Sequence, residues 1–148
     1  SDMVDLSHAT FNNCTIGDCL VLCRFVHERT FGKELTEKTA ELVRALTGWE
    51  DYTLEELTTT AERVCTLERL LSVERGLSRE DDTLPYRVRT TPIPDGPAAG
   101  RYCSDEDLAR MLDEYYQLRA WDREGVPTAD TLERLGIHRG DASELGLA

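Results

Sequence analysis

Apolar residues recur along this chain with helical spacing and nowhere alternate with polar ones over the length of a strand. The clearest stripe is Leu54, Leu57, Ala61, Val64, Leu67 and Leu71, one residue every three or four positions. Thr53-Leu54-Glu55-Glu56 opens it as a capping box: Thr53 accepts from an amide three residues on, and Glu56 reaches back. Gly76 is placed to stop that helix. An earlier helix is predicted after Thr36, with Leu42, Val43 and Leu46 on one face, Gly48 as its stop and Trp49 packing back on it. A later one begins after Ser104, with Asp107 as the box acid, and carries Leu108, Met111, Leu112, Tyr115, Leu118 and Trp121. Gly125-Val126-Pro127 ends it, and a short last helix follows over residues 128–135, stopped by Gly136.

Three stretches read differently. Residues 1–15 carry few signals, and Asn12-Asn13 reads as a turn. Between Gly17 and Thr30, Leu20, Val21, Leu22, Phe25 and Val26 put apolar groups on more than one face. Periodicity there does not choose between a buried helix and a short strand. Residues 77–103 read as irregular, because Pro85, Pro92, Pro94 and Pro97 interrupt regular helix and Asp95-Gly96 marks a turn. A connection this long in a compact domain is usually functional or an interface arm.

The pattern predicts an all-α fold, a multihelical bundle of about five helices with a long proline-rich connecting arm. It divides into an N-terminal lead-in at 1–15, a helical domain at 16–137 and a flexible tail at 138–148. Ser1-Asp2-Met3 reads as a cloning remnant, which carries the expectation that a longer protein was cut.

Composition narrows the function classes. The chain has 148 residues, enough for one domain with a core of its own. Its 29 acidic against 17 basic residues give a net charge of -12, which argues against a nucleic-acid partner. No apolar run is long enough to cross a membrane, and no signal peptide is visible. Five cysteines, an odd number in a chain this size, argue against a disulfide scaffold and for reduced thiols in the cytoplasm.

Candidate chemistry is sparse. His8, His27 and His138 form no H-E-x-x-H or E-x-x-H motif, so each reads as a surface histidine. Glu80-Asp81-Asp82 reads as a solvated turn or a helix N-terminus, with magnesium binding weighed against it. Cys14-x4-Cys19-x3-Cys23 fits neither zinc knuckles nor ferredoxin patterns, so Cys14 and Cys19 read as packing residues or unpaired thiols.

The organising stretch is Gly17-Asp18-Cys19-Leu20-Val21-Leu22-Cys23-Arg24-Phe25. An apolar run of this kind is usually buried, and a charge inside it costs several kcal/mol unless paired or hydrogen-bonded. Asp18 therefore reads as a group at the edge of the run with something specific to hold. Residue physics leaves Cys23 open as either a core filler or a metal-bound thiolate.

Asp18, Leu22 and Cys23 resemble the second pterin-binding motif of the tungsten-containing aldehyde ferredoxin oxidoreductase family, D-x-x-G-L-C, with Val21 in place of the Gly. The stretch from Leu67-Glu68-Arg69 through Gly76-Leu77-Ser78-Arg79-Glu80-Asp81-Asp82-Thr83-Leu84-Pro85 is similar to the family's N-L-E-R-x-F-N-x-R-E-G-F-S-R-x-D-D-x-L-P. Pro94-Asp95-Gly96-Pro97, Leu112-Asp113-Glu114-Tyr115-Tyr116, Arg119-Ala120-Trp121-Asp122 and Gly125-Val126-Pro127-Thr128 extend the resemblance in order over roughly residues 16–137.

The resemblance implies the C-terminal helical domain of an enzyme that oxidises aldehydes to carboxylic acids at a tungsten (or molybdenum) bis-molybdopterin. Electrons leave that enzyme through a [4Fe–4S] cluster to ferredoxin. It further implies that Asp18 and Leu22 bind the pterin and that Cys23 is one cluster ligand. The C-x2-C-x3-C segment and the first pterin motif of the family are absent from these 148 residues. The chain alone therefore reads as one inactive wall of a cofactor site, partnered by the remaining N-terminal part of the oxidoreductase, with a homodimer as another way to cover an exposed face. The alternative is a stand-alone helical interaction module, or a separate subunit, that has lost the cofactor chemistry. Val21 in place of Gly leans towards it, because valine takes positive φ only at a cost.

Overall fold

The computed structural model describes residues 2–138. Among them are seven α-helices: α1 (Asp2–Cys19), α2 (Arg24–Phe31), α3 (Glu37–Thr47), α4 (Leu54–Glu74), α5 (Tyr86–Thr90), α6 (Asp105–Leu118) and α7 (Ala129–Leu135). A single 3-10 turn at Arg79–Asp81 and an isolated bridge between Trp121 and Pro127 complete the pattern, and no sheet forms among the described residues. The fold is all-α, as the spacing of apolar residues predicts.

Helix α4 is the axis on which the others pack: α1, α3 and α7 lie against it, and α1 also meets α2 and α6. Its start is the predicted capping box. Thr53 Oγ1 accepts from the Glu56 amide at 3.1 Å, and Glu56 accepts from the Thr53 amide at 2.7 Å. The single predicted stripe is followed only in part. Leu57 and Ala61 are buried with Ile16, Ala40 and Val43, whereas Leu70 is buried with Leu132, Leu135 and Ile137. The helix buries one face against α1 and α3 and a rotated face against α7, which brings in Cys65, Thr66 and Leu70 that the stripe omits.

Helix α1 is the main departure. Asn12-Asn13 does not form a turn; both side chains are buried inside a helix that also crosses position 16, where the lead-in was set off from the domain. The pattern concealed this helix because it is inverted. Met3, Leu6 and Phe11 face outwards while Asn12, Asn13 and Thr15 face the interior beside Val4 and Ile16.

Those inward polar groups are satisfied from other elements. Asn12 Oδ1 accepts from Arg119 Nη1 at 2.7 Å, and Arg119 Nε donates to the Tyr115 hydroxyl at 3.0 Å. The Arg119 guanidinium is 3% exposed and lies over the rings of Phe11 and Tyr115. Thr15 Oγ1 contacts Cys65 Sγ at 3.2 Å, and burial pushes the Cys65 thiol pKa up.

A second polar knot ties α4 to α6 and the loop beyond it. Arg69 donates twice to Asp82, at 2.9 and 2.6 Å, and once to the Gly125 carbonyl at 2.8 Å. Its guanidinium lies over the rings of Tyr116 and Trp121. The Tyr116 hydroxyl donates to Asp82 as well, and burial, then that bond, push its pKa up. So Asp82 leaves the solvated acidic turn expected for Glu80-Asp81-Asp82 and enters this knot. Glu80 and Asp81 remain on the surface, where Asp81 caps the 3-10 turn through Ser78.

Other local expectations also change. Trp49 does not pack back on α3; it is 60% exposed, with its ring against Tyr52. Residues 77–103 are not a structureless arm, because Pro85 stands at the N-cap of α5, where its missing amide costs nothing. Of the three histidines read as surface groups, His27 is buried and His8 half-buried; only His138 is exposed. The 138–148 tail lies, beyond His138, outside the described residues, as does Ser1.

Two predictions test these knots. A Cβ at Gly125 would sit 2.5 Å from Arg69 Nη2 and 2.7 Å from Tyr116 Cζ, at a φ of +72°. Gly125→Ala is expected to cost about 3 kcal/mol in a thermal melt, and an unchanged Tm would refute the packing. Burial, and after it the Arg119 charge, hold the His8 imidazole below its usual 6.5. A lowered folded-state pKa means the unfolded chain binds the proton first. Stability is therefore fully present above pH 6.5, falls below it, and levels off for this group at the folded pKa. Urea midpoints across that window should show the fall in the parent chain and a shallower one in His8→Gln.

Candidate functional site

The chain between α1 and α2 is a helix-stop turn built without glycine. The Leu22 amide donates to the Gly17 carbonyl at 2.9 Å, and the Val21 amide donates to the Asp18 carbonyl at 3.1 Å. This paired pattern is a Schellman motif, and it requires a left-handed residue at Val21. Val21 takes it, with φ at 55°. The same paired bonds end α4 at Gly76, α6 at Ala120 and α7 at Gly136. Valine is the costliest occupant of the four, since a branched Cβ crowds the backbone at positive φ.

The turn places the three predicted site residues in different settings. Asp18 is exposed on the last turn of α1, and its carboxylate accepts no hydrogen bond from the described residues. Leu22 is half-buried. Cys23 is an exposed free thiol at the N-cap of α2, with extended backbone and no capping bond from its side chain. The apolar run itself is not buried as expected: Val21 is 90% exposed, Phe25 82% and Val26 62%.

A hydrogen-bond bracket missed by the sequence reading holds this turn. Asn13 Oδ1 meets His27 Nε2 at 2.9 Å, and Asn13 Nδ2 donates to the Gly32 carbonyl at 3.3 Å. Both side chains are buried, so α2 is pinned to α1 by one asparagine, at its middle and at its C-terminal cap. The signal was the Asn12-Asn13 pair, whose polarity pointed to a turn and not to an interior bond.

Beside the turn runs a cleft of about 590 Å³ between α1 and α4, lined by Phe11, Cys14, Asp18, Cys19, Arg24 and Glu68 among others. Burial, and then the nearby Glu68 and Asp18 carboxylates, push the Cys19 thiol pKa up, so this cysteine resists becoming a thiolate. Arg24 is held by Glu28 at 2.8 Å along α2. Among the described residues no three histidine, cysteine or acidic side chains converge on a point that could hold a metal ion. The turn and the cleft beside it present the free thiols of Cys14, Cys19 and Cys23 and the unbonded Asp18 carboxylate.

Comparison with known proteins identifies the family. The family described as "Aldehyde ferredoxin oxidoreductase, domains 2 & 3" matches residues 2–137. The chain belongs to that family. A tungsten-containing aldehyde ferredoxin oxidoreductase of Pyrococcus furiosus is 38% identical over 121 residues, which cover 81% of this chain and 19% of that protein. One from Thermococcus kodakarensis is 35% identical over the same shares. An aliphatic sulfonate oxidoreductase, WOR-like subunit, of Pyrococcus furiosus is 32% identical over 125 residues. The chain thus spans about a fifth of the length of these relatives.

Among solved structures, the active site complex BamBC of benzoyl coenzyme A reductase, in complex with 1,5-dienoyl-CoA, superposes with a TM-score of 0.72 at 25% identity. The match covers 99% of this chain and 21% of that one. Among the described residues no helix is long and apolar enough to cross a membrane.

Relieving the turn at Val21 has a measurable effect. Val21→Gly should raise stability by about 1 kcal/mol, the left-handed strain removed exceeding the added freedom of the unfolded chain. A calorimetric Tm below that of the parent would mean that Val21 gains more from its surroundings than its exposure allows.

Proposed function

We propose that this chain is the C-terminal helical part of a tungsten-dependent oxidoreductase and forms one wall of its cofactor site. In this reading residues 16–137, with α1 continuing before them, are the unit that packs on the rest of the enzyme. The observation that carries the reading is the α1–α2 turn. Its backbone is left-handed at Val21, where the family motif has glycine, and it leaves Asp18 and Cys23 exposed on either side without partners.

When bound, a tungsten or molybdenum bis-molybdopterin supplies the two-electron chemistry that turns an aldehyde and water into a carboxylic acid, two protons and two electrons. The chain's own residues hold and orient. Asp18 would accept hydrogen bonds from the pterin N–H groups, and Leu22 would pack on the ring. Cys23 would give a [4Fe–4S] cluster its fourth thiolate, the other three coming from outside this chain. Electrons would pass by that cluster to ferredoxin. The exposed Val21, Phe25 and Val26 would be covered by the remaining part of the oxidoreductase, or by a second copy of the chain when it is alone. The whole would work in the cytoplasm, where thiols stay reduced.

A second reading has one observation in its favour. The Val21 side chain stands fully in solvent at the position where the family keeps the backbone bare, so it occupies space a ligand would need. In that reading the chain is a helical interaction module, or a separate subunit, without cofactor chemistry.

The test is metal analysis of the whole oxidoreductase carrying this chain, prepared without oxygen. Cys23→Ser should lose iron, sulfide and the visible absorbance of the cluster, with far-UV dichroism unchanged. Asp18→Asn should lower the tungsten or molybdenum content per protein. Full cluster content in Cys23→Ser would sink the assignment of Cys23, and no metal in the parent protein would favour the module.

A further inference from the structure

The segment from Leu84 to Cys103 is unlike the rest of the molecule in charge. It carries three arginines, Arg87, Arg89 and Arg101, against the single acid Asp95, in a chain of net charge -12. Arg89 is committed to internal bonds, donating to the Leu84 carbonyl and pairing with Asp105. Arg87 and Arg101 are exposed and have no ion-pair partner among the described residues.

These two arginines border an apolar cleft of about 490 Å³, walled by Val88, Pro92, Ile93, Pro94, Tyr102 and Cys103. Val88, Ile93 and Tyr102 are all exposed around it, and Tyr86 is exposed on the same helix as Arg87. Tyrosine and arginine around an apolar centre is the composition of protein-interface hot spots. The segment is also built to keep its shape. The Ile93 amide donates to the Arg101 carbonyl at 3.0 Å, the Gly100 amide to the Ile93 carbonyl at 2.8 Å, and the Cys103 amide to the Val88 carbonyl at 3.2 Å. A braced backbone with prolines loses little entropy on binding. Yet α5 buries none of its residues, so this construction serves no core.

We infer that the 84–103 segment is a docking surface for an acidic segment of a partner protein, which seats apolar side chains in the cleft and sets carboxylates against Arg87 and Arg101. Charge decides the class of occupant. The segment has three arginines against one acid in a chain of net charge -12, so an acidic partner, repelled by the chain as a whole, is directed to it. A basic or purely apolar segment would leave both guanidiniums unmatched.

The probe is a synthetic eight-residue peptide with two central leucines flanked on each side by three glutamates, titrated into the isotopically labelled 148-residue chain. Amide shifts should concentrate at 86–103, and affinity should fall severalfold between about 50 and 300 mM salt, as exposed charges are screened. Arg87→Glu/Arg101→Glu should weaken binding at least about tenfold, while Arg29→Glu on α2 should leave it within about twofold. Equal binding of a lysine-flanked control peptide, or shifts centred elsewhere, would overturn the proposal. So would a concentration-dependent dimer of the chain that the double reversal abolishes, which would make a second copy the occupant.

Discussion

A buried guanidinium without a carboxylate sets the constraint on which this fold turns. Arg119 ends α6 inside the protein, and its charge must be met there. Asn12 and the Tyr115 hydroxyl meet Nη1 and Nε through neutral oxygens, with two aromatic faces in support, while Nη2 is buried without a hydrogen-bond partner among the described residues. This fixes the rotation of α1 about its axis, because Asn12 can face Arg119 only if Asn13 and Thr15 also turn inwards. Asn13 then reaches His27 and Gly32, and α2 takes its place. The exposed stretch from Asp18 to Cys23 lies between these two anchored helices and inherits its position from them.

Sequence periodicity read the helices whose interiors are apolar. α4 and α6 were visible from stripes and from the caps Thr53 and Ser104, each of which accepts an amide three residues on, and α7 from its stop at Gly136. α1 was not visible, because Met3, Leu6 and Phe11 are outside while Asn12, Asn13 and Thr15 share the interior with Val4 and Ile16. No rule that puts apolar groups in the core can find such a helix without knowing that an arginine over a hundred positions later needs an acceptor. The same reason hid Asp82, which looks like one more surface acid until Arg69 and Tyr116 are brought to it. Trp49 failed in the other direction: a large ring was assigned to packing on α3, and it stays mostly in solvent with the Tyr52 ring against it. At the site, chemistry alone left Cys23 undecided. The resemblance singled out Asp18, Leu22 and Cys23, and the turn shows why a glycine suits the residue between them.

The four helix stops show how much local geometry a chain preserves when its residues change. α1, α4, α6 and α7 close with the same two bonds, two of them around glycine, one around alanine and one around valine. The bonds to the last carbonyls satisfy groups that would otherwise go unpaired, and that gain offsets the crowding at Ala120 and Val21. Backbone geometry at the candidate site is therefore set by helix termination, and side-chain identity there is free to vary within the strain the fold tolerates.

The inverted α1 also shapes how the protein responds to temperature. Exposing apolar area raises the heat capacity of the unfolded chain, and exposing polar area lowers it. An interior that gives part of its space to Asn12, Asn13, Thr15 and Arg119, while Met3, Leu6 and Phe11 stay in water, has a reduced heat-capacity increment for its size. Its free-energy curve is flatter than that of an all-apolar bundle, so its stability changes little between cold and warm.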